Sequence, residues 1–594
     1  MGSESQTTPA AANDPKTHDI ESPASLEQRA RAVLAADPDN EDALRLLSRA
    51  LYQLERSAEA DASANAAIMV SVRKPIIVAA IRHLNEGRLR DAEALIRQRL
   101  SEQPEDALAL LMMGDLTHRL SIYDQSENFL RRSLAIAPAF EDAWLKLVNV
   151  LHAQGRTEEA LVMLDDLLRR DSGNLAALDT CIRIMGEIGE YDRTLKYHEM
   201  LLHVKPDEPR PLVGYANTLK TVGRSGEAIQ AYRRAIALDP GCSEAWWALS
   251  NMKARQLDAG DIARMESIID GGVTDTQKMY LHFALGKAHE DSRQYEESFR
   301  HYAAGNLQRL KQIPHDTEEI EDKVERAIEF FDADFFARHA GGGAAARDPI
   351  FIVGMPRAGS TLLEQILSSH SQIEGTAELP EIPAMVRRLL GDRWRDVDAR
   401  YPDLLDGLSI EETRVLGEYY LSSAAVHRKD SRPFFIDKLP INWLNAGFIR
   451  IILPNATIID ARREPMACCF ANFKQHFARG QTFAYSLSDV GRYYSAYVRL
   501  MAHFDRVLPR KILRLQHEDL LDDPEAEIRR LLDGIGLPFE EGCLRFHENA
   551  RAVRTPSAEQ VRKPLNRDAV DLWRNYEPWL DELKQALGPL IPNR

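Results

Sequence analysis

The sequence predicts two folds in one chain: an all-α solenoid, followed by an α/β domain built on a parallel sheet with a P-loop-like turn. Three observations carry this reading. Helix-breaking and small residues recur at a spacing of 34 residues through the first half. The second half alternates short β-branched or aromatic runs with long amphipathic segments, the pattern of a parallel sheet covered by helices. Where the two patterns meet, Pro349-Ile350-Phe351-Ile352-Val353 runs into Gly354-Met355-Pro356-Arg357-Ala358-Gly359-Ser360-Thr361, a hydrophobic strand followed by a Gly-bounded turn and an amphipathic helix.

Residues 1–24, rich in Ser, Thr, Pro, Asn and Asp, are expected to be disordered. They lack the cationic-plus-apolar pattern of a secretion signal, and no run of about 18 apolar residues occurs anywhere, so no membrane span and a cytoplasmic location are expected. The net charge of −16 argues against a general nucleic-acid binder. A local basic pocket can still take an anionic nucleotide, because it answers to its own neighbours more than to the total charge. The five cysteines have no metal-type spacing and read as buried free thiols of a reducing compartment, and no His pair has zinc-ligand spacing in a suitable context.

Residues 25–313 read as the solenoid. Pro104, Pro138, Pro206 and Pro240 share one 34-residue lattice, with Ser172 in the vacant slot. A second lattice holds Gly87, Gly155, Gly189 and Gly223 with Ser121 in its gap, and a third holds Ala92, Ser126, Ala160, Thr194 and Ala228. Gly ends the first helix of each pair, the small residue lets the second helix pack closely, and Pro stops that helix before the next pair. The lattice decays after Pro240 and recovers in a last pair near Tyr280 and Tyr295. These features resemble tetratricopeptide repeats, whose arrays coil into a superhelix with a concave face for a peptide or protein partner.

Residues 314–347 read as a helix and a Gly/Ala linker, the run from Ala340 to Ala346 being a flexible joint. From 348 to 594 the strand candidates are 351–353, 434–436, 457–459 and 511–515. In the turn, Gly354 and Gly359 bound a GxxxxG loop whose backbone N–H groups can approach an anion, with the helix from Ser360 adding its positive end. A nucleoside-triphosphatase loop would continue with Lys and then Ser or Thr. Here Ser360 and Thr361 follow, and Arg357 is the loop's cation, which points to a smaller phosphate diester or anhydride donor.

Taken with Glu378, Asp437-Lys438-Leu439-Pro440, Arg463-Glu464-Pro465 and the segment Ser557-Ala558-Glu559-Gln560-Val561-Arg562-Lys563-Pro564, the loop resembles that of the sulfotransferases, nearest the tyrosylprotein branch and its bacterial relatives fused to tetratricopeptide repeats. The resemblance implies that Arg357, Ala358, Gly359, Ser360 and Thr361 hold the 5′-phosphosulfate of 3′-phosphoadenosine 5′-phosphosulfate, with no metal. It implies Glu378 as general base, with Glu374 and Glu381 as the alternatives in the same acidic turn. Lys438 and Ser557 would serve the oxygen between phosphate and sulfonate, and Arg463 would grip the 3′-phosphate. Two positions depart from the family pattern. Ala471 stands where a Ser usually completes the 3′-phosphate contact, with Asn472 as a possible substitute, and Leu572 stands where a basic residue is usual, with Arg567 or Arg574 as replacements. Tyr485, Tyr493, Tyr494 and Tyr497 are spaced like a helix face and read as core, as do Cys468 and Cys469.

The expected function is transfer of a sulfonate to a hydroxyl of a peptide or small molecule, with the repeat array binding acceptor or partner. The alternative is a nucleotide-binding scaffold that has lost turnover, for which Ala471 and Leu572 speak.

Overall fold

The computed structural model describes residues 21–252, 257–313, 317–392, 400–477, 480–549, 551–553, 555 and 560–591. The chain divides into two compact units, Met1–Met163 and Leu164–Arg594. Each begins with paired antiparallel helices, and the three lattices explain their ends.

Gly87, Gly155, Gly189 and Gly223 each stand two residues beyond a helix, after Pro75–Asn85, Glu141–Ala153, Leu175–Glu187 and Pro209–Thr221, with φ from +73° to +86°. That left-handed conformation closes a helix at little cost only for Gly. Ser121 occupies the same place after Ala107–Arg119 and pays the Cβ penalty at φ +61°. The small residues Ala92, Ser126, Ala160, Thr194 and Ala228 are all buried. The prolines follow the second helices, two residues past Leu89–Glu102, Tyr123–Ile136, Tyr191–Val204 and Ser225–Leu238. Beyond Pro240 the helices shorten to Ser243–Ser250 and Ala259–Asp270 before the long pair Asp275–Asp291 and Tyr295–Leu310.

In the second unit that last pair shares a core with the sheet: Met279, Phe283 and Tyr302 cluster with Phe351, Phe470, Trp443 and Tyr576. The helices Thr317–Phe330 and Ala333–Arg338, with Phe331 between them, bring Val324, Phe331 and Phe335 into the same cluster. The Gly/Ala stretch expected to be a flexible joint is pinned instead. Ala344 donates its N–H to Ile452 O at 2.8 Å, and Gly343 donates to Thr413 Oγ1 at 3.1 Å. Gly343, at φ +75°, lies so close to the following chain that a Cβ would stand 2.6 Å from Ile451 O. Glycine here permits close packing; it does not loosen the chain.

The sheet has five parallel strands: β1 (Pro349–Gly354), β2 (Ile373–Ala377), β3 (Phe434–Asp437), β4 (Thr457–Arg462) and β5 (Ile512–Gln516), in the order β2-β3-β1-β4-β5. β1 is buried along its whole length. Its alternate side chains go to opposite faces, Phe351 and Val353 into the large core, Ile350 and Ile352 into a second core with Ile366 and Leu531. The sequence identified four of these strands. It missed β2, read as an acidic turn, because an edge strand with the sequence IEGTA and a register shift between Gly375 and Ala377 has almost no apolar alternation to detect.

No single helix among the described residues is long and apolar enough to cross a membrane.

Replacing Ser121 by Gly removes the Cβ from a left-handed position. Ser121→Gly is expected to stabilise the first unit by about 1 kcal/mol and Gly155→Ala to destabilise it similarly. Urea denaturation followed by circular dichroism reads both, and equal or reversed midpoint shifts would contradict the lattice interpretation.

Candidate functional site

Because all five strands are parallel, all five carboxyl ends open on one edge, and each delivers one element of the site. β1 delivers the loop 355–359, β2 delivers Glu378, β3 delivers Lys438, β4 delivers Arg463 and β5 delivers His517. The chain runs from β1 to one side of the sheet and later from β3 across to the other, so the β1 loop sits at the switch point, where open α/β sheets bind ligands.

The loop is held in an unusual shape. Gly354, Arg357 and Gly359 have φ of +140°, +65° and +96°. A Cβ on Gly354 would lie 2.4 Å from Ala461 O, and one on Gly359 would lie 2.8 Å from His517 Nδ1, so both glycines are required by their neighbours. Gly359 is the N-cap of the helix Ser360–Leu367, and no side chain takes the hydrogen bonds of its first turn. Those N–H groups and the hydroxyls of Ser360 and Thr361 form a place for an anion. Ala358 is buried against the core.

Two guanidinium groups back the loop. Arg463 donates from Nη1 to Arg357 O at 3.2 Å and from Nη2 to Ala569 O at 2.5 Å, while its Nε is buried without a partner. Burial, reinforced by the positive charge of Arg463, pulls the Arg357 guanidinium down to about 10. Arg357 remains a cation at neutral pH, and an anion bound between the two groups would relieve their repulsion. Asn472 does not replace the missing Ser hydroxyl. Its amide is completely buried and donates to Pro356 O at 2.8 Å and Cys468 O at 2.9 Å, so it braces the loop.

Glu378 and Lys438 are in contact through Oε1 and Nζ. The pair is asymmetric: the Lys438 side chain is 2% exposed and that of Glu378 is 48% exposed. Lys438 is not paired with its neighbour Asp437, which instead accepts from Tyr420 OH at 2.9 Å. Of the other two acids, Glu374 is buried and accepts the N–H groups of Lys429 and, at 2.8 Å, Asp430. Glu381 pairs with His427 Nε2 at 3.0 Å. Both have structural duties, leaving Glu378 as the acid with an open face. Ser557 lies outside the described residues.

A cleft of about 590 Å³ opens over the loop. Arg357, Gly359, Ser360, Thr361 and Arg463 line it, as do Ala471, Leu572, Trp573 and His517. Neither proposed replacement for a base at 572 lines it: Arg567 pairs with Asp522, and Arg574 pairs with Asp571 at 2.9 Å and lies over the Trp573 ring. The opposite wall comes from the last repeat pair, through Phe283, Lys287, Glu290 and Tyr302. Glu290 joins that wall to the sheet unit, pairing with Lys474 and accepting from Tyr576 OH at 3.0 Å. The four tyrosines assigned to the core are buried there, with Tyr494 OH donating to Arg463 O at 2.9 Å. Cys468 and Cys469 are buried as expected.

Two site features escaped the sequence reading. His517 has one local signal, its place directly after a predicted strand. Glu290 has none, since nothing in the sequence says which repeat residue will face the sheet.

Comparison with known proteins finds a sulfotransferase domain and tetratricopeptide repeats in the same two parts of the chain. Residues 349–541 match the sulfotransferase family, and residues 77–140, 123–180 and 209–252 match tetratricopeptide repeats. An uncharacterised protein of Aquifex aeolicus is 30% identical over 62% of this chain and 49% of its own length. Protein-tyrosine sulfotransferase A of Caenorhabditis elegans is 25% identical over 38% of this chain and 60% of its own. The matches thus span about half to three fifths of these two relatives. A solved sulfotransferase domain from the Synechococcus PCC 7002 olefin synthase aligns with 39% of this chain and 88% of its own at 22% identity, with a TM-score of 0.29. The chain carries a sulfotransferase domain together with tetratricopeptide repeats.

Burial, with the Arg463 charge adding to it, depresses His517 to about 4 from the 6.5 of a free imidazole. Between those values the unfolded chain binds more protons than the folded one. The contribution of His517 to stability is therefore full above pH 6.5 and is lost as the pH falls toward 4. Urea denaturation between pH 7 and 4 should show this acid limb, and His517→Gln should flatten it by on the order of 2 kcal/mol. An unchanged slope in the variant would show that His517 is not held neutral.

Proposed function

We propose that the protein transfers a sulfonate from 3′-phosphoadenosine 5′-phosphosulfate to a hydroxyl acceptor. The observation that carries this reading is the Glu378–Lys438 contact at the sheet edge where the glycine loop also opens.

The residues fit such a donor. The loop N–H groups, with Ser360 and Thr361, suit the 5′-phosphate, and Arg463, which lines the cleft, offers its guanidinium to a second phosphate. Ala471 and Leu572 make part of the cleft apolar, so the base and 3′-phosphate are gripped by fewer polar groups than the family pattern has. In the transfer, Glu378 takes the proton of the acceptor hydroxyl as its oxygen bonds to sulfur. The bond from sulfur to the bridging phosphate oxygen breaks, and Lys438 stabilises the negative charge left on that oxygen. Before the reaction each of these two residues neutralises the other; when an acceptor arrives, the exposed carboxylate can turn to it while the buried ammonium stays in place.

For the acceptor, the similarity to a nematode protein-tyrosine sulfotransferase makes a peptide tyrosine the first substrate to try. The repeats would present a peptide or protein partner. The competing reading, a nucleotide-binding scaffold without turnover, rests on Ala471 and Leu572.

Isothermal titration with 3′-phosphoadenosine 5′-phosphate should give saturable binding independent of Mg²⁺, and preference for ATP would end the proposal. With radiolabelled donor and either a tyrosine peptide or a cell lysate, Glu378→Gln and Lys438→Met are expected to lose roughly 10²–10⁴-fold in transfer. Glu378→Gln should leave nucleotide affinity nearly unchanged. Binding with no transfer in the unsubstituted protein would favour the scaffold.

A further inference from the structure

Within the second unit, three helices of the last repeats bring together side chains that the sequence keeps far apart. Ala259–Asp270 carries Glu266, Asp275–Asp291 carries His289, and Tyr295–Leu310 carries His301. One carboxylate oxygen of Glu266 and one ring nitrogen of each histidine lie within 4.8 Å of one another. The histidines are 8% and 6% exposed, and their rings stack with centroids 5.3 Å apart.

The hydrogen bonds of the two rings leave matching vacancies. His289 Nδ1 lies 2.7 Å from Gln294 Oε1, an acceptor, so the imidazole proton sits on Nδ1 and Nε2 carries a lone pair. His301 Nδ1 lies 3.0 Å from His282 Nδ1, and one of the two nitrogens donates to the other. Donation by His301 leaves its Nε2 as a lone pair too. Both Nε2 atoms are buried with no hydrogen-bond partner. A buried polar atom without a partner is costly, and two lone pairs beside a carboxylate are what a borderline divalent cation takes. The Nδ1 contacts of both rings then act as the outer hydrogen bonds that orient metal-binding imidazoles.

We propose that Glu266, His289 and His301 bind a divalent cation of the zinc type, with a water in the fourth position. Tetrahedral ligands at zinc bond lengths stand about 3.3 Å apart, so the three groups close up by as much as about 1.5 Å and the parallel rings tilt toward the ion. Glu266 is the exposed member and marks the side from which the ion arrives. The ion would tie three helices together one residue from Glu290, whose carboxylate holds Lys474 and Tyr576 at the cleft.

The test uses the full-length chain without a histidine tag, stripped with a chelator and titrated with Zn²⁺ by calorimetry and with Co²⁺ by visible absorbance. One equivalent should bind, with a Kd at or below about 10 μM and a Co²⁺ spectrum of four-coordinate nitrogen and oxygen ligation. Glu266→Gln, at an exposed position, should weaken binding at least about 10-fold and abolish the rise in Tm that Zn²⁺ gives the unsubstituted chain. His301→Gln should remove binding. No saturable binding below about 1 mM, or binding that survives Glu266→Gln unchanged, would overturn the site even if His301→Gln fails to fold.

Discussion

The hydrogen bond from Arg463 Nη1 to Arg357 O is the contact on which the functional edge depends. A loop with three positive-φ residues in six does not keep its shape unaided, and one of the three, Arg357, bears a Cβ. The neighbouring chain supplies the restraint. Arg463 fixes one carbonyl of the loop and Asn472 fixes another at Pro356. Ala461 O and His517 press on the two glycines, so β4 and β5 dictate the form of the turn that β1 begins. The cost is two guanidinium groups side by side, Arg463 buried and Arg357 half-buried, a local positive charge within a chain of net charge −16. A region so arranged is stabilised by an anion, which links what holds the loop to what the loop can bind.

The fold was legible because its signals are local and repeated. A left-handed residue two places past a helix and a small residue at a helix crossing impose the same requirement in every repeat, so the glycines of its neighbours place Ser121 in the same left-handed position. The central strands were legible for a related reason, since burial on both faces leaves only apolar residues such as Ile350 to Val353. β2 is an edge strand whose last three residues are only half-buried, so its sequence carries no comparable mark. The joint at Ala340 to Ala346 failed differently. Glycine has two uses, freedom and close approach, and composition cannot tell them apart; only the chain at Ile451 and Ile452 decides for the second.

Around the glycine loop, the positions that a motif fixes could be read from the sequence as neighbours, and those recruited across the fold could not. The loop, Glu378, Lys438 and Arg463 each follow the end of a strand, and a parallel sheet brings such positions together whatever separates them in sequence. Asn472 shows the limit of spacing arguments. It is one residue from Ala471, yet a single helical step turns its amide from the cleft into the core and changes its role from ligand to brace. The division of the chain shows the same limit. Sequence pattern changes near residue 348, whereas packing draws the last repeats into the unit of the sheet through Phe283, Tyr302 and the Glu290 contacts.

That shared core bears on how the repeats would serve the proposed reaction. A tethered recruitment arm would raise the local concentration of an acceptor and leave the donor untouched. Here Glu290 and Lys287 line the cleft itself, and Glu290 is bonded to Lys474 and Tyr576 on its other wall. Any partner that shifts the helix Asp275–Asp291 therefore acts on the volume and charge of the cleft. The Glu290–Lys474 pair, largely removed from solvent, opposes such shifts, because breaking it would leave two partly desolvated charges uncompensated. The repeats and the transferase domain would then be coupled at the donor cleft, with the Glu378–Lys438 pair left to respond to the acceptor alone.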